Sequence, residues 1–243
     1  MLPQYNLDKI KFATDRPTFE RAVGLYESGK VTKFKVMING FSAIVQGTKP
    51  YRVIVGSRNY DEGDCECYLG QNDTLCKHMV AVAIHAVMGG KELNSEDKEL
   101  VDRPRCSDRL GVLTKEELTE TKAVITVAMR YIKPYNGPSR IWFAYQNSLD
   151  EGCNRLSSIV SGLPVSKQTT DLLINLLLRL DKKLSQGGVD DSNGTVGGFI
   201  QETVFVLKEY GKLDPICINS FNKLANFETC FGWEEELVKM VKN

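Results

Sequence analysis

The chain has 243 residues, 42% hydrophobic and 26% charged, which excludes a wholly disordered or collagen-like protein. Its 31 basic and 31 acidic residues cancel, which argues against nucleic-acid binding through the bulk charge of the whole chain. The first residues lack the apolar stretch of a secretory signal, and no apolar run approaches the ~20 residues of a membrane span. We therefore expect a soluble, cytoplasmic protein, long enough for two domains.

The zero net charge is an average over segments of opposite sign. Residues 1–60 contain ten basic and four acidic residues, a net charge of +6. Residues 61–110 contain six basic and eleven acidic residues, a net charge of −5, and the remainder is nearly neutral. A local basic surface in the N-terminal part is therefore compatible with the neutral total.

The first predicted element is a helix over residues 17–28. Pro17 suits the first helical position, where the missing N–H would be unpaired in any case, and Gly29 is a typical helix stop. Apolar side chains recur between them at helical spacing, at Phe19, Ala22, Val23 and Tyr26.

Three strands are predicted next, over residues 34–38, 41–45 and 51–55, because apolar and polar residues alternate there. Asn39-Gly40 between the first two predicts a hairpin with a two-residue type I′ turn. The alternation places six side chains of this hairpin on one buried face: Phe34, Val36, Ile38, Phe41, Ala43 and Val45.

A polar, turn-rich segment over residues 56–75 precedes a predicted helix that begins at Cys76 and ends at Gly89-Gly90. The charged residues 91–113 are predicted to be a linker or a wrapping segment. Residues 1–90 should thus form one module, with a small sheet and helices.

Residues 114–243 are predicted to be an all-α helical bundle, which makes the fold class α+β. Thr114 and Glu117 match a capping box that opens a helix to about residue 132. Further helical segments follow over residues 141–145, 149–160, 166–184, 199–210, 215–225 and 233–241.

Four residues have the types and spacing of a metal site: Cys65, Cys67, Cys76 and His78. Residues two apart on a strand point to the same face, so Cys65 and Cys67 can present their thiolates together. The second pair opens a helix, whose N-terminus favours a thiolate. Three sulfurs and one imidazole form a closed tetrahedral set that suits one structural Zn²⁺ ion and leaves no open position for catalysis.

The remaining metal-ligand residue types fall outside this unit. His85 lies two helical turns beyond His78 and is predicted to be a partly buried helix histidine. The other cysteines are predicted to be structural or incidental: Cys106, Cys153, Cys217 and Cys230.

The C-x-C and C-x-H pairs, with their flanks, resemble the SWIM-type zinc finger of stand-alone microbial proteins. The matching stretches are YESGKV at 26–31, VQGTKPYRV at 45–53 and CKHMVAVAIHA at 76–86. The resemblance covers about residues 15–90 and implies a zinc module of a β-hairpin and a helix. The family is thought to bind DNA or protein, but the phosphate-binding loop of its helicase members has no counterpart in this sequence.

Two functional hypotheses follow. In the first, the module binds nucleic acid through the basic residues Lys33, Lys35, Arg52 and Lys77, which we predict to lie close together. In the second, the protein is a protein–protein adaptor that binds no nucleic acid, and zinc only stabilises the fold. No small-molecule substrate is indicated.

An enzyme is the least favoured class, because no catalytic motif is found. The loop 189–194 resembles a calcium loop, but acids are missing from its first and last ligand positions, so a polar turn is predicted. Acidic residues in 233–236 are predicted to stabilise a helix N-terminus. Trp142, Phe143 and Tyr145 are predicted to be core residues.

Overall fold

A computed structural model describes residues 2–138 and 142–242 of the chain. The chain divides into two compact units, Met1–Leu100 and Val101–Asn243. The α+β class is confirmed, since a small antiparallel sheet lies in the first unit and the second is mostly helical.

The first unit contains an antiparallel sheet with the strand order β1-β2-β3-β4. Its strands are β1 Val31–Val36, β2 Gly40–Gln46, β3 Pro50–Gly56 and β4 Gly63–Cys65. Its helices are α1 Leu7–Phe12, α2 Arg16–Glu27, α3 Lys77–Met88 and α4 Ser95–Lys98, with a short 3-10 helix at Gly70–Asn72.

Helix α2 matches the helix predicted over residues 17–28. The side chain of Asp15 accepts a hydrogen bond from the backbone N–H of Thr18 at 2.9 Å, so it satisfies one of the unpaired donors of the first turn. Gly29, just beyond the helix, adopts a φ of +65°, the left-handed conformation that glycine tolerates.

The hairpin between β1 and β2 differs from the prediction at its turn. The N–H of Met37 donates to the carbonyl of Gly40 at 2.8 Å, which centres the turn on Ile38-Asn39. Neither these residues nor Gly40 has a positive φ, so the predicted type I′ turn at Asn39-Gly40 is wrong. The shift accompanies a change of register in β1 near Lys33, which has a φ of +51°.

Gly40 is required for close approach rather than for the turn. A Cβ atom at this position would lie 2.2 Å from the carbonyl oxygen of Val55 in the paired strand. Val36 and Ile38, predicted to be buried, are instead 52% and 85% exposed because they lie at the turn end of the hairpin.

The core of the first unit lies between one face of the sheet and helix α3, and helix α2 packs against α3. Phe41, Ala43 and Val45 on β2 are buried as predicted, and so are Val53 and Val55 on β3. Helix α3 is buried along most of its length, so it is the central helix of this small unit. Burial of its apolar residues stabilises the unit.

The second unit contains the longest helices. They are α5 Lys115–Ala128, α6 Trp142–Gly162, α7 Lys167–Ser185 and α8 Thr195–Leu213, and the shorter α9 Glu234–Lys242 follows them. The capping box of Thr114 and Glu117 forms as predicted. The segment Pro215–Leu224 is a 3-10 helix rather than an α-helix.

The apolar stripe of α7 forms the centre of the second core, where Leu173, Leu177 and Leu180 are fully buried. The predicted linker 91–113 is divided between the units: Leu93 and Leu100 are buried in the first core, and Cys106 packs against the second. Within the described residues, no helix combines the length and apolar character needed to cross a membrane.

Candidate metal centre

The four predicted ligands come from two short segments of the first unit. Cys65 is the last residue of β4, and Cys67 lies in the turn that follows. Cys76 is the N-cap residue of α3, and His78 lies in the first turn of that helix. The sheet and α3, held together by the apolar core, thus bring the two pairs together.

The ligand atoms form one compact cluster. One atom from each of the four residues lies within 4.8 Å of all the others. The Nδ1 atom of His78 is 3.7 Å from the Sγ of Cys65 and 3.8 Å from the Sγ of Cys76. A tetrahedron with zinc–sulfur bonds of about 2.3 Å and zinc–nitrogen bonds of about 2.0 Å has sulfur–nitrogen edges of about 3.5 Å, so the spacing fits Zn²⁺.

All four ligand residues are buried, and Cys76 is only 1% exposed. A three-sulfur, one-nitrogen set is typical of structural zinc sites, whereas catalytic sites keep one position for water. One bound Zn²⁺ ion would link β4, the turn and α3, and its binding energy would contribute to folding.

The first ligand pair is not arranged as predicted. Because β4 ends at Cys65, a turn and not the pleat of a strand brings Cys67 back to the cluster. The Sγ of Cys67 accepts the backbone N–H of Gly70 at 3.4 Å. Gly70 is necessary here, since a Cβ atom would lie 2.3 Å from the Cys65 carbonyl oxygen.

The N-terminus of α3 favours a thiolate at Cys76. A hydrogen bond from the Cys65 thiol lowers the pKa of Cys76, and hydrogen bonds from His78 and the backbone N–H of Met79 act in the same direction. The same bond to Cys76, together with burial, raises the pKa of Cys65. Of these two cysteines, Cys76 is therefore the one whose surroundings favour the charged form that a metal ligand needs.

Two residues outside the ligand set, Gly47 and Tyr51, position the imidazole of His78. The ring of Tyr51 lies 4.7 Å from that of His78, and its hydroxyl is 2.8 Å from the hydroxyl of Thr48. A Cβ atom at Gly47 would lie 3.0 Å from His78 Nε2. Gly47 and Tyr51 both lie in the VQGTKPYRV stretch, and this stretch is the sequence feature that could have pointed to their role.

The Nε2 atom of His78 is buried and has no hydrogen-bond partner in the described part of the chain. When Nδ1 binds a metal, the neutral ring carries its proton on Nε2, so this atom does not compete for the ion. The arrangement assigns Nδ1 as the ligand atom.

This fold and cluster define a small zinc-binding module in which the metal is structural. The family model described as SWIM zinc finger matches residues 51–87. The chain therefore contains a SWIM zinc finger, which runs from β3 into α3. No curated protein and no solved structure gives a significant match to the chain.

The predicted nucleic-acid-binding residues do not form one surface. Lys35 and Arg52 lie on the outer face of the sheet, because they pair with Ser42 and Ile44, which alternate with buried residues of β2. Lys33 lies at the irregularity in the edge strand β1. Lys77 instead opens α3, which packs against the inner face.

The other candidate metal ligands are His85 and four further cysteines. His85 is half-buried, as predicted, and its ring lies 4.6 Å from that of Phe34. None of the other four cysteines belongs to the cluster among the described residues, and Cys230 is exposed whereas Cys153 and Cys217 are buried.

The acidic pair of the loop 189–194 also has partners. Asp190 accepts the indole N–H of Trp142 at 3.0 Å, and Asp191 accepts the backbone N–H groups of Val196 and Gly197, both at 2.8 Å. Tyr145 is buried as predicted, Trp142 is half-buried, and the side chain of Phe143 lies outside the described residues.

Proposed function

We propose that the SWIM module binds single-stranded nucleic acid through the surface beside its zinc centre. We call this the zinc-side surface and define it by Arg21, Lys49, Tyr68 and Lys77. The observation that carries the proposal is a cavity of about 260 Å³ at this surface, which Arg21, Tyr68 and Lys77 line together with the ligands Cys67, Cys76 and His78.

The charge of this cavity suits a phosphate backbone. Arg21 and Lys77 contribute two cations, and no carboxylate is among the described residues that line the cavity. Lys49 adds a third cation nearby, since its Nζ lies 5.6 Å from the ring centroid of Tyr51, which forms part of the wall. Phosphate contacts from such side chains supply most of the affinity in non-specific nucleic-acid binding.

Tyr68 supports a single-stranded ligand. It is 81% exposed, although it follows the buried Cys67 directly. An exposed aromatic ring beside cations is the arrangement on which unpaired bases stack, at about 1–3 kcal/mol per base. A base pair in a duplex offers no free face for such a contact.

The outer face of the sheet is less suitable. Arg52 there has acidic neighbours: the Glu66 carboxylate accepts its backbone N–H at 2.9 Å, and Asp64 pairs with Ile54 on the same face. Both acids reduce the positive potential that Lys35 and Arg52 create. We therefore favour the zinc-side surface over the one that these two residues share.

The zinc ion has a positioning role in this proposal. Tyr68 lies between the ligands Cys67 and Cys76 in the chain, and Lys77 lies between Cys76 and His78. Fixing the ligands therefore fixes the backbone from which both side chains project.

Fluorescence anisotropy with labelled single-stranded oligonucleotides at two salt concentrations tests the proposal. We expect binding at low salt that weakens steeply as salt rises, because phosphate contacts release counterions. Lys77→Gln should reduce the affinity and the salt dependence, and Tyr68→Ala should reduce the affinity by about tenfold with little change in salt dependence.

Lys35→Gln and Arg52→Gln are matched controls, since each removes one positive charge from the other face. They should bind as the native protein does. A loss of binding in these controls alone would move the interface to the outer face. No binding by the native protein at low salt would contradict the proposal and favour the protein-adaptor alternative.

A further inference from the structure

The second unit contains a polar cavity between two helices. Asp150, Asn154 and Ser157 lie on one face of α6, at the spacing of successive helical turns. Thr195, Gly198 and Glu202 on α8 form the facing wall with the same spacing. The cavity has a volume of about 370 Å³, and Asp102 also lines it. Apolar residues are the usual occupants of such facing positions in a helical bundle.

The charge of the cavity is negative. Asp102, Asp150 and Glu202 are acidic, and Arg103 is the one basic residue among the described lining residues. Arg103 lies 3.8 Å from Glu202 with a side chain that is 73% exposed, so this ion pair offsets little of the charge.

Asp150 is an acidic residue without an ion pair among the described residues. Its Oδ1 accepts a hydrogen bond from the Thr195 hydroxyl at 2.8 Å, and the described part of the chain gives it no ion-pair partner. Burial raises the pKa of its carboxyl group, and the Thr195 hydrogen bond only partly opposes this effect. A bound cation would compensate the cost of burying this carboxylate.

A second group in the cavity is also unsatisfied. Ser157 is only 1% exposed, and its Oγ has no hydrogen-bond partner in the described structure. Leaving a buried hydroxyl unpaired is unfavourable, and a polar group of a bound ligand would remove this cost. This observation is independent of the carboxylates and indicates that the cavity takes a ligand with polar groups, which ammonium N–H donors can supply.

The positions of the acids indicate the length of the ligand. Because Thr195 contacts Asp150, Glu202 lies seven residues further along α8, about 10 Å away at 1.5 Å per residue. A short aliphatic chain with an ammonium group at each end spans this distance, with one charge-assisted hydrogen bond at each acid.

We propose that the cavity between α6 and α8 binds a linear aliphatic diamine, with Asp150 as the anchor for one ammonium group and Glu202 for the other. Ser157 and Asn154 accept further N–H donors from the ligand. This site lies within the second unit and does not depend on the zinc centre or on nucleic-acid binding.

Isothermal titration calorimetry of the full-length, zinc-loaded protein with 1,4-diaminobutane tests the proposal. We expect the diamine to bind at least about tenfold more tightly than 1-aminobutane, which can satisfy one acid only. The neutral 1,4-butanediol, of the same length, should give no binding. Equal binding of the monoamine or the diol would overturn the proposal, as would the absence of binding by the diamine.

Asp150→Asn keeps the shape of the side chain and removes its charge, and it should weaken diamine binding by about tenfold or more. The control Glu120→Gln removes one charge from an exposed position on α5 and should leave binding unchanged. Native-like affinity in the Asp150 variant would contradict the site.

Gly198→Leu provides a second test that does not change any charge. Gly198 lines the cavity, a Cβ atom at this position has nothing within 4 Å, and leucine is the better helix former. We expect this variant to keep its thermal stability and to lose diamine binding. A folded variant that still binds the diamine with native affinity would place the ligand elsewhere.

Discussion

The two units of this protein bury their side chains in different ways. In the second unit, long helices such as α7 carry continuous apolar stripes, and Leu173, Leu177 and Leu180 are fully buried. In the first unit, the segment between β3 and α3 is mostly exposed and contains only β4 and a short 3-10 helix. The buried residues of this segment include the three cysteine ligands, Cys65, Cys67 and Cys76. Zinc therefore stabilises the fold of this segment, whereas apolar packing stabilises the helical unit.

Removing one metal ligand tests most strongly whether the first unit depends on zinc while the second does not. Cys67→Ser should abolish zinc binding and destabilise the first unit by several kcal/mol, because structural zinc energy is folding energy. The unfolding transition of the second unit should not move. Elemental analysis and thermal unfolding measure the two effects.

Cys230→Ser is the matched control, since this cysteine is exposed and outside the cluster. It should retain one zinc ion and native stability. Full zinc content and an unchanged transition in Cys67→Ser would show that the first unit does not depend on the metal.

A substitution that leaves a cavity in the core of the second unit should affect that unit alone. Leu177→Ala removes a fully buried side chain from α7 and should cost about 2–5 kcal/mol. Chemical denaturation should show a loss confined to the second unit, with zinc content unchanged. Val124→Ala on α5, where the side chain is 43% exposed, should cost less than about 0.5 kcal/mol. Equal costs at the two sites would contradict the assigned core.

A smaller effect is expected next to the metal. Gly47→Ala would place its Cβ 2.9 Å from the Tyr51 ring and 3.0 Å from His78 Nε2, so the imidazole must shift. Zinc affinity, measured by competition with a chelator, should fall by about 10–100-fold. In Gly24→Ala, where a Cβ atom has nothing within 4 Å, affinity should not change. An equal zinc affinity in both variants would remove the role assigned to Gly47.

The smallest effects are expected at the helix caps. Asp15→Ala should destabilise the first unit and Thr114→Ala the second, each by about 1 kcal/mol, because each side chain satisfies an N-terminal backbone donor. Denaturation followed by probes for each unit distinguishes the two. If either variant shifted the transition of both units together, the units would not unfold independently.

The sequence predicts the metal ligands because their signal is local. Four ligand residues within fourteen positions can be recognised without knowing what packs against them. The start of α8 is not visible in the local pattern, since the helix begins at Thr195 rather than at the predicted Phe199. The Asp191 carboxylate supports a first turn of weak helix formers, including Gly197 and Gly198.

Features set by distant contacts could not be predicted. The change of register near Lys33 moves the hairpin turn, and alternation alone cannot reveal it. Gly47 matters only because Tyr51 and His78 meet it in the folded chain. The polar face of α6 acquires meaning when Thr195 and Glu202 are found opposite it.

X-ray absorption spectroscopy at the zinc edge tests the central claim most directly. For the zinc-loaded native protein, we predict one zinc ion with three sulfur ligands at about 2.3 Å and one nitrogen ligand at about 2.0 Å. A coordination shell dominated by oxygen, or one that contains water, would contradict a closed site formed by Cys65, Cys67, Cys76 and His78.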